Sequence, residues 1–436
     1  MCAEALSMMR VACYRPDRMI VREVKPNGLT LVTEAMPHVR SVAIGVWLKQ
    51  GSRHETPEQA GISHFIEHMV FKGTRNRSAE LIASQVDSIG GHMDAFTAKE
   101  YASFHLKVLD EHVPLAVDIL ADIVVNPLFD PSEMTKEKKV IFEEMSMVED
   151  TPDDLVMELF SAAFWPNHPL GRPILGTKRS VTKFTRSDLA SFFRKVYQPK
   201  NIVISAAGHL DHAQVSALVG RHFGALGPAG KGGALQPPRP ASKIVTRSKK
   251  ELEQVHLCLG TPAYHQGHED RYAAYIMNTV LGGSMSSRLF QNVREKRGLV
   301  YSIASGVTAY RDAGNLTVYA GTSLDSVDEV VRLTLLEFRK MREEPLPADE
   351  LRRAKDHLKG SLMLSLENTG SRMSHLARQE IYYGRQAGMD ETLQKIEDVE
   401  AGDVQRVANE ILVGAPTMSL LGNLKGYRPR PSQLRV

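Results

Sequence analysis

The apolar positions of the chain fall into two kinds of run. Thr30–Val32, Val42–Leu48 and Val255–Leu259 are short apolar or alternating stretches that predict strands. Within residues 57–74, Ile62, Phe65, Ile66, Met69 and Val70 recur at helical spacing and form one apolar face, with Gly73 placed to end the helix. Residues 130–150 predict a second helix. Asp130, Pro131 and Glu133 suit its N-cap, N1 and N3 positions, and Met134, Ile141, Met145 and Val148 form its core stripe. The two kinds of run interleave without a strict strand–helix–strand rhythm. That predicts an α+β fold of mainly antiparallel sheets, each with helices packed on one face.

The pattern occurs twice. Residues 187–211 (SDLASFFRKVYQPKNIVISAAGHLD) and 402–425 (GDVQRVANEILVGAPTMSLLGNLK) both run helix, turn, apolar strand, then Gly208-His209-Leu210 or Gly422-Asn423-Leu424. Such a long offset points to duplication of a whole domain, because a solenoid repeats every 20–50 residues or so. Residues 227–241 (GPAGKGGALQPPRPA) carry eight Gly or Pro, which neither a helix nor a central strand tolerates. The expected organisation is an N-terminal domain over 1–226, a linker over 227–241 and a homologous C-terminal domain over 242–436.

Composition narrows the partners. Lys plus Arg is 54 against 51 Asp plus Glu, a net charge of +3 with no basic block, so nucleic acid is not expected. The three cysteines (Cys2, Cys13, Cys258) are scattered and form neither a disulfide framework nor a CxxC site, which fits a reducing compartment. No apolar run is long enough to span a bilayer. Residues 1–18 read as a short extension and not a secretory signal. The expected location is a bacterial cytoplasm, with the mitochondrial matrix as the alternative.

The chemical signal lies in residues 61–74, GISHFIEHMVFKGT. His64, Glu67, His68 and Phe71 lie opposite the apolar face, where a solvated helix would carry Lys, Arg, Glu or Gln. Imidazoles at i and i+4 stand one turn apart and can share a zinc ion, while Glu67 between them can reach a metal-bound water. A hydrolytic site needs a third protein ligand. On the helix over 130–150, Glu143 points away from the core stripe, whereas Glu144 lies at its edge about 20° from Glu137, two turns earlier. Taken alone, an acid at a stripe edge is more often a solvated flank residue.

The His-x-x-Glu-His pattern and its surroundings resemble the pitrilysin and mitochondrial-processing-peptidase family. Besides GISHFIEHMVFKGT, the segments NHPLGRPILGT (167–177) and GGSMSSRLFQNVREKRGLVYSI (282–303) are similar to family segments, in the right order. The resemblance implies two related α+β domains per chain, with four domains from two chains around a chamber. It implies one zinc ion per chain held by His64, His68 and Glu144, with Glu67 as general base and Glu137 in support of the ligands or in proton transfer. It also implies that Arg294 and Tyr301 contact substrate; read without it, they are a solvated helix-end charge and a sheet-packing tyrosine. Substrate is expected to add as a strand along Ala95, Phe96 and Thr97. Asp94 stands where the family often has Asn, and Asp when ionised has no side-chain N–H to donate. His92 reads as a structural or surface residue.

Together these features predict a zinc-dependent endopeptidase for short or unfolded peptides. Some family members split the zinc motif and the Arg/Tyr pair between two subunits; this chain carries both, so a homodimer is expected. The alternative is a non-catalytic structural or peptide-binding subunit of the same family.

Overall fold

A computed structural model describes residues 20–227 and 235–434. The N-terminal extension, Cys2, Cys13 and the middle of the linker lie outside the described residues. Six strands form a first sheet: β1 (Ile20–Val24), β2 (Thr30–Ala35), β3 (Ser41–Leu48), β4 (His92–Thr97), β5 (Ala102–Leu109) and β6 (Ile202–Gly208). Their order is β1-β2-β6-β3-β5-β4. Five form a second: β7 (Ile244–Ser248), β8 (Val255–Ala263), β9 (Val300–Ala309), β10 (Gly314–Thr322) and β11 (Thr417–Gly422), in the order β7-β11-β8-β10-β9.

Without β1, the two orders correspond strand for strand. β2 and β7 run parallel to their neighbours β6 and β11, and every other pairing is antiparallel. The correspondence reaches the backbone angles. Gly208 and Gly422, which close the equivalent strands β6 and β11, have φ of 141° and 154°. A Cβ at either would meet backbone at the start of the paired strand, 2.1 Å from Ser41 O or 2.7 Å from Gln254 O.

The helices of the first half are α1 (Ile62–Val70), α2 (Ala79–Ser88), α3 (Val113–Val125), α4 (Pro131–Asp150), α5 (Pro152–Phe164), α6 (Lys178–Lys183), α7 (Arg186–Val196) and α8 (His212–Phe223). Those of the second are α9 (Arg271–Leu281), α10 (Val327–Glu343), α11 (Ala348–Ser365), α12 (Thr369–Tyr383), α13 (Met389–Glu397) and α14 (Ala401–Ile411). No described helix is long and apolar enough to cross a membrane.

β3 explains why Val42–Leu48 is an unbroken apolar run. Val42, Ile44, Val46 and Leu48 face the core shared with α1 and α3, while Ala43 and Trp47 face the other way. That other face is covered by α12 of the second half, through Met373, Leu376, Ala377 and Ile381. The exchange is reciprocal. α5 of the first half lays Val156, Phe160 and Phe164 against Cys258 and Leu421 of the second sheet, and Ser419 Oγ donates to Val156 O at 3.0 Å. Each half therefore supplies a helix that buries the other's sheet. The four α12 side chains contribute on the order of 10 kcal/mol of apolar burial before ordering costs.

A buried arginine ties the halves together. Arg53, 2% exposed, donates to Glu100 at 2.6 Å, to Asp312 at 2.6 Å and to Gln236 O in the linker at 3.3 Å.

Candidate metal centre

α1 is anchored at its N-terminus. Gly61, its N-cap, has φ of 93°, and a Cβ there would lie 2.5 Å from Leu175 O, so only glycine permits this approach of helix and loop. The Glu55 carboxylate accepts from the backbone N–H of Gly61 and Ser63, both at 2.8 Å, satisfying donors that a helix start leaves free. Ile62, Phe65, Ile66, Met69 and Val70 are all at most 1% exposed, as the periodicity predicts. That fixes the helix rotation and turns His64, Glu67 and His68 to the cleft side. The helix stops at Val70 with Phe71 as its C-cap, before Gly73 (φ 115°).

α4 crosses this face. Asp130 caps it through Ser132 N–H at 2.8 Å and Glu133 N–H at 3.3 Å, with Pro131 in the first turn. Met134 and Ile141 are buried, and Met145 packs against the same core. Val148 differs from expectation: it lines the cleft, because the last turns of α4 run past the core. Glu143 is exposed and Glu144 half-buried.

Glu144 completes a triangle. Its Oε2 lies 3.6 Å from His64 Nε2 and its Oε1 lies 3.4 Å from His68 Nε2; ligand atoms of all three residues fall within 4.8 Å of one another. Four donors around one zinc ion at 2.0–2.2 Å stand about 3.3–3.5 Å apart, close to the two Glu144–histidine separations. Burial, then the neighbouring His68, pushes His64 down to about 3, so its ring is neutral and carries a free lone pair. Glu144 Oε2 is buried without a hydrogen-bond donor among the described residues. Acceptor atoms converging on one point, one of them orphaned, are the donor set a divalent cation satisfies.

Glu137, 4% exposed, lies on the far side of His68. His68 Nδ1–H donates to its Oε2 at 3.0 Å, and Lys72 Nζ holds its Oε1 at 2.8 Å. This bond fixes the tautomer that leaves His68 Nε2 free as a ligand.

Glu67 accepts a hydrogen bond from Thr97 Oγ1 at the end of β4, and burial raises its carboxyl above the usual range. It lines two cavities. One, of about 500 Å³, includes His64, Phe96 and Thr97; the other, of about 460 Å³, includes His68, Asp94 and Ala95. Among the described residues β4 is the last strand of its sheet and pairs only with β5, which leaves its outer edge open there. On that strand His92 and Asp94 are exposed, and Asp94 Oδ1 accepts from the Ala95 N–H at 2.8 Å.

Arg294 and Tyr301 lie elsewhere. Arg294 Nε donates to Tyr301 O at 2.8 Å and its guanidinium stacks 4.8 Å from the Phe290 ring. Neither residue lines the cavities at His64 and His68. Tyr301 is 75% exposed, so it does not pack on the sheet.

Three contacts escape sequence reasoning. Lys72 stands one helical turn beyond His68, a spacing that could have flagged it. Thr97 as partner of Glu67, and Glu55 as cap of α1, leave no periodic signal.

The chain was compared with known proteins. Residues 30–178 match the family model described as insulinase (peptidase family M16), and residues 183–358 match the one described as peptidase M16 inactive domain. A protease structure from Helicobacter pylori superposes with a TM-score of 0.85 at 22% identity, covering 92% of this chain and 99% of that one. A structure from Pseudomonas fluorescens described as peptidase M16 inactive domain gives 0.87 at 20% identity, covering 94% and 100%. These structures show the duplicated two-sheet α+β fold class. Sequence identity goes further. The zinc protease YmxG of Bacillus subtilis is 43% identical over 92% of this chain and 98% of its own. A zinc protease of Streptomyces coelicolor is 41% identical over 93% and 90%. The chain belongs to the M16 peptidase family. The second half's description as inactive has a counterpart here: α9, which follows β8 as α1 follows β3, contains no histidine or acid.

Proposed function

We propose that this protein is a zinc-dependent endopeptidase acting on short or unfolded peptides, with one zinc ion held by His64, His68 and Glu144. The observation that carries the reading is the triangle of ligand atoms beside Glu67 and next to an open strand edge. A zinc ion bound there supplies Lewis acidity, lowering the pKa of water to about 7 and polarising a carbonyl.

The chain's own groups do the rest. Glu67 takes the proton of the attacking water and passes it to the leaving amine. Burial favours this role, because it raises the Glu67 carboxyl above its usual range and so makes it the more willing proton acceptor. Glu137 and Lys72 hold His68 in one tautomer, so Glu137 acts as a positioning residue. Ala95, Phe96 and Thr97 bind the peptide by main-chain pairing along the free edge of β4. Only an extended segment fits that edge, which excludes folded proteins.

Arg294 and Tyr301 act on substrate from a second copy of the chain. They line neither cavity of their own chain's cleft, and Tyr301 is exposed. A homodimer would let each copy complete the other's site. The working location is a bacterial cytoplasm.

Hydrolysis of a quenched peptide, with and without chelator, tests the reading. Product that disappears on chelation and returns with zinc is expected, and the Glu67→Gln protein should keep zinc yet lose roughly 100-fold or more in rate. Zinc binding without product in the wild type would mark a peptide-binding subunit instead.

A further inference from the structure

A cavity of about 500 Å³ opens between Tyr101 of the first half and α9, α12 and α13 of the second. It shares no residue with the two cavities at Glu67. Its wall carries four cationic side chains, Arg271, Arg378, Arg385 and Lys395, and no carboxylate among the described residues. Glu391, outside the wall, accepts from Arg385 at 2.8 Å and from Lys395 at 2.6 Å, which leaves the other two cations uncompensated. Among the described residues Arg271 donates only to His268 O and the Tyr272 hydroxyl, both at 3.1 Å. Arg378 makes no hydrogen bond or ion pair among the described residues.

Five tyrosines share the wall with aliphatic and polar residues such as Leu358, Leu362 and Gln266. Tyr272, Tyr275, Tyr382 and Tyr383 line it with Tyr101, and the Arg271 guanidinium sits 4.5 Å from the Tyr272 ring and 5.3 Å from the Tyr383 ring. Guanidinium forks without acidic partners match a carboxylate or phosphate group. Rigid tyrosine faces match a flat ring, and the volume suits a small molecule.

We propose that this cavity binds a small aromatic anion, a single ring bearing a carboxylate or phosphate, whose charge is held by Arg271 and Arg378. The site stands apart from the peptidase reading and does not depend on it. It is nevertheless close to the cleft: Tyr101 in its wall lies 6.0 Å, ring to ring, from Phe96 of β4.

Calorimetric titration of the full chain with phenyl phosphate, phenol and inorganic phosphate tests this. Saturable phenyl phosphate binding is expected, with phenol and inorganic phosphate each at least about tenfold weaker, and Arg378→Gln weakening phenyl phosphate by roughly tenfold or more. Arg378 is exposed and bonded to no described residue, so its substitution should leave the fold intact, which the melting temperature checks. Glu67→Gln should bind phenyl phosphate as the wild type does. No binding at millimolar phenyl phosphate, equal binding of inorganic phosphate or phenol, or unchanged affinity in Arg378→Gln overturns the proposal.

Discussion

His68 Nδ1 lies 3.0 Å from Glu137 Oε2, so the imidazole's second nitrogen is committed to a carboxylate buried behind it. Metal-bound histidines are commonly held this way, and losing such a partner costs about 10–100-fold in metal affinity or activity. Glu137→Ala should therefore weaken zinc binding by about that factor while all three ligand residues remain. Glu137→Gln, which can still accept the bond through its carbonyl oxygen, should lose less. Competition against a fluorescent zinc chelator measures both. An unchanged affinity in Glu137→Ala would remove Glu137 from the site.

The proposed completion of each cleft by a second copy predicts complementation. Glu67→Gln and Tyr301→Phe proteins should each be weakly active alone. Co-expressed, half of a random dimer population is mixed, and each mixed dimer has one intact cleft, giving about a quarter of wild-type activity. Rates of the separate and co-expressed proteins on one quenched peptide check this. No gain on mixing would place Tyr301 and Glu67 in the same functional unit, or neither in use.

Acid should destabilise the fold through His54, next to the arginine that ties the halves. Burial, with Arg53 and Arg311 nearby, lowers its pKa from 6.5 to about 4. The unfolded chain binds a proton below pH 6.5 that the folded chain refuses until about pH 4. Stability is thus complete above pH 6.5 and falls as pH drops toward 4, by at most roughly 3 kcal/mol from this group. Melting temperatures from pH 7.5 to 4.5 should decline, and His54→Gln should flatten the slope whatever its effect at neutral pH. An identical slope in the variant would show that His54 does not titrate as described.

Much of this architecture is legible in the sequence because it depends on local period. The face of α1 follows from residues three and four apart, and the preference for Glu144 over Glu143 follows from one rotation along α4. The duplication shows in Gly208 and Gly422, where the backbone angle itself demands glycine. What stays hidden depends on contacts between distant residues. Met373, Leu376, Ala377 and Ile381 announce an amphipathic helix, yet nothing local says that it covers the other half's sheet. The bond from Thr97 to Glu67, the Glu55 cap and the acid-free lining around Arg378 are equally non-local. Tyr301 reads as a packing residue from its apolar neighbours, but it sits at the start of edge strand β9 with its ring in solvent.

Metal content by mass spectrometry, after equilibrium dialysis of the purified protein against micromolar zinc, is the most direct test. The wild type and Glu67→Gln should each hold one ion per chain, while folded His64→Ala and Glu144→Ala should hold none. A folded wild type that takes up no zinc, or ligand variants that retain it at full stoichiometry, would contradict the site.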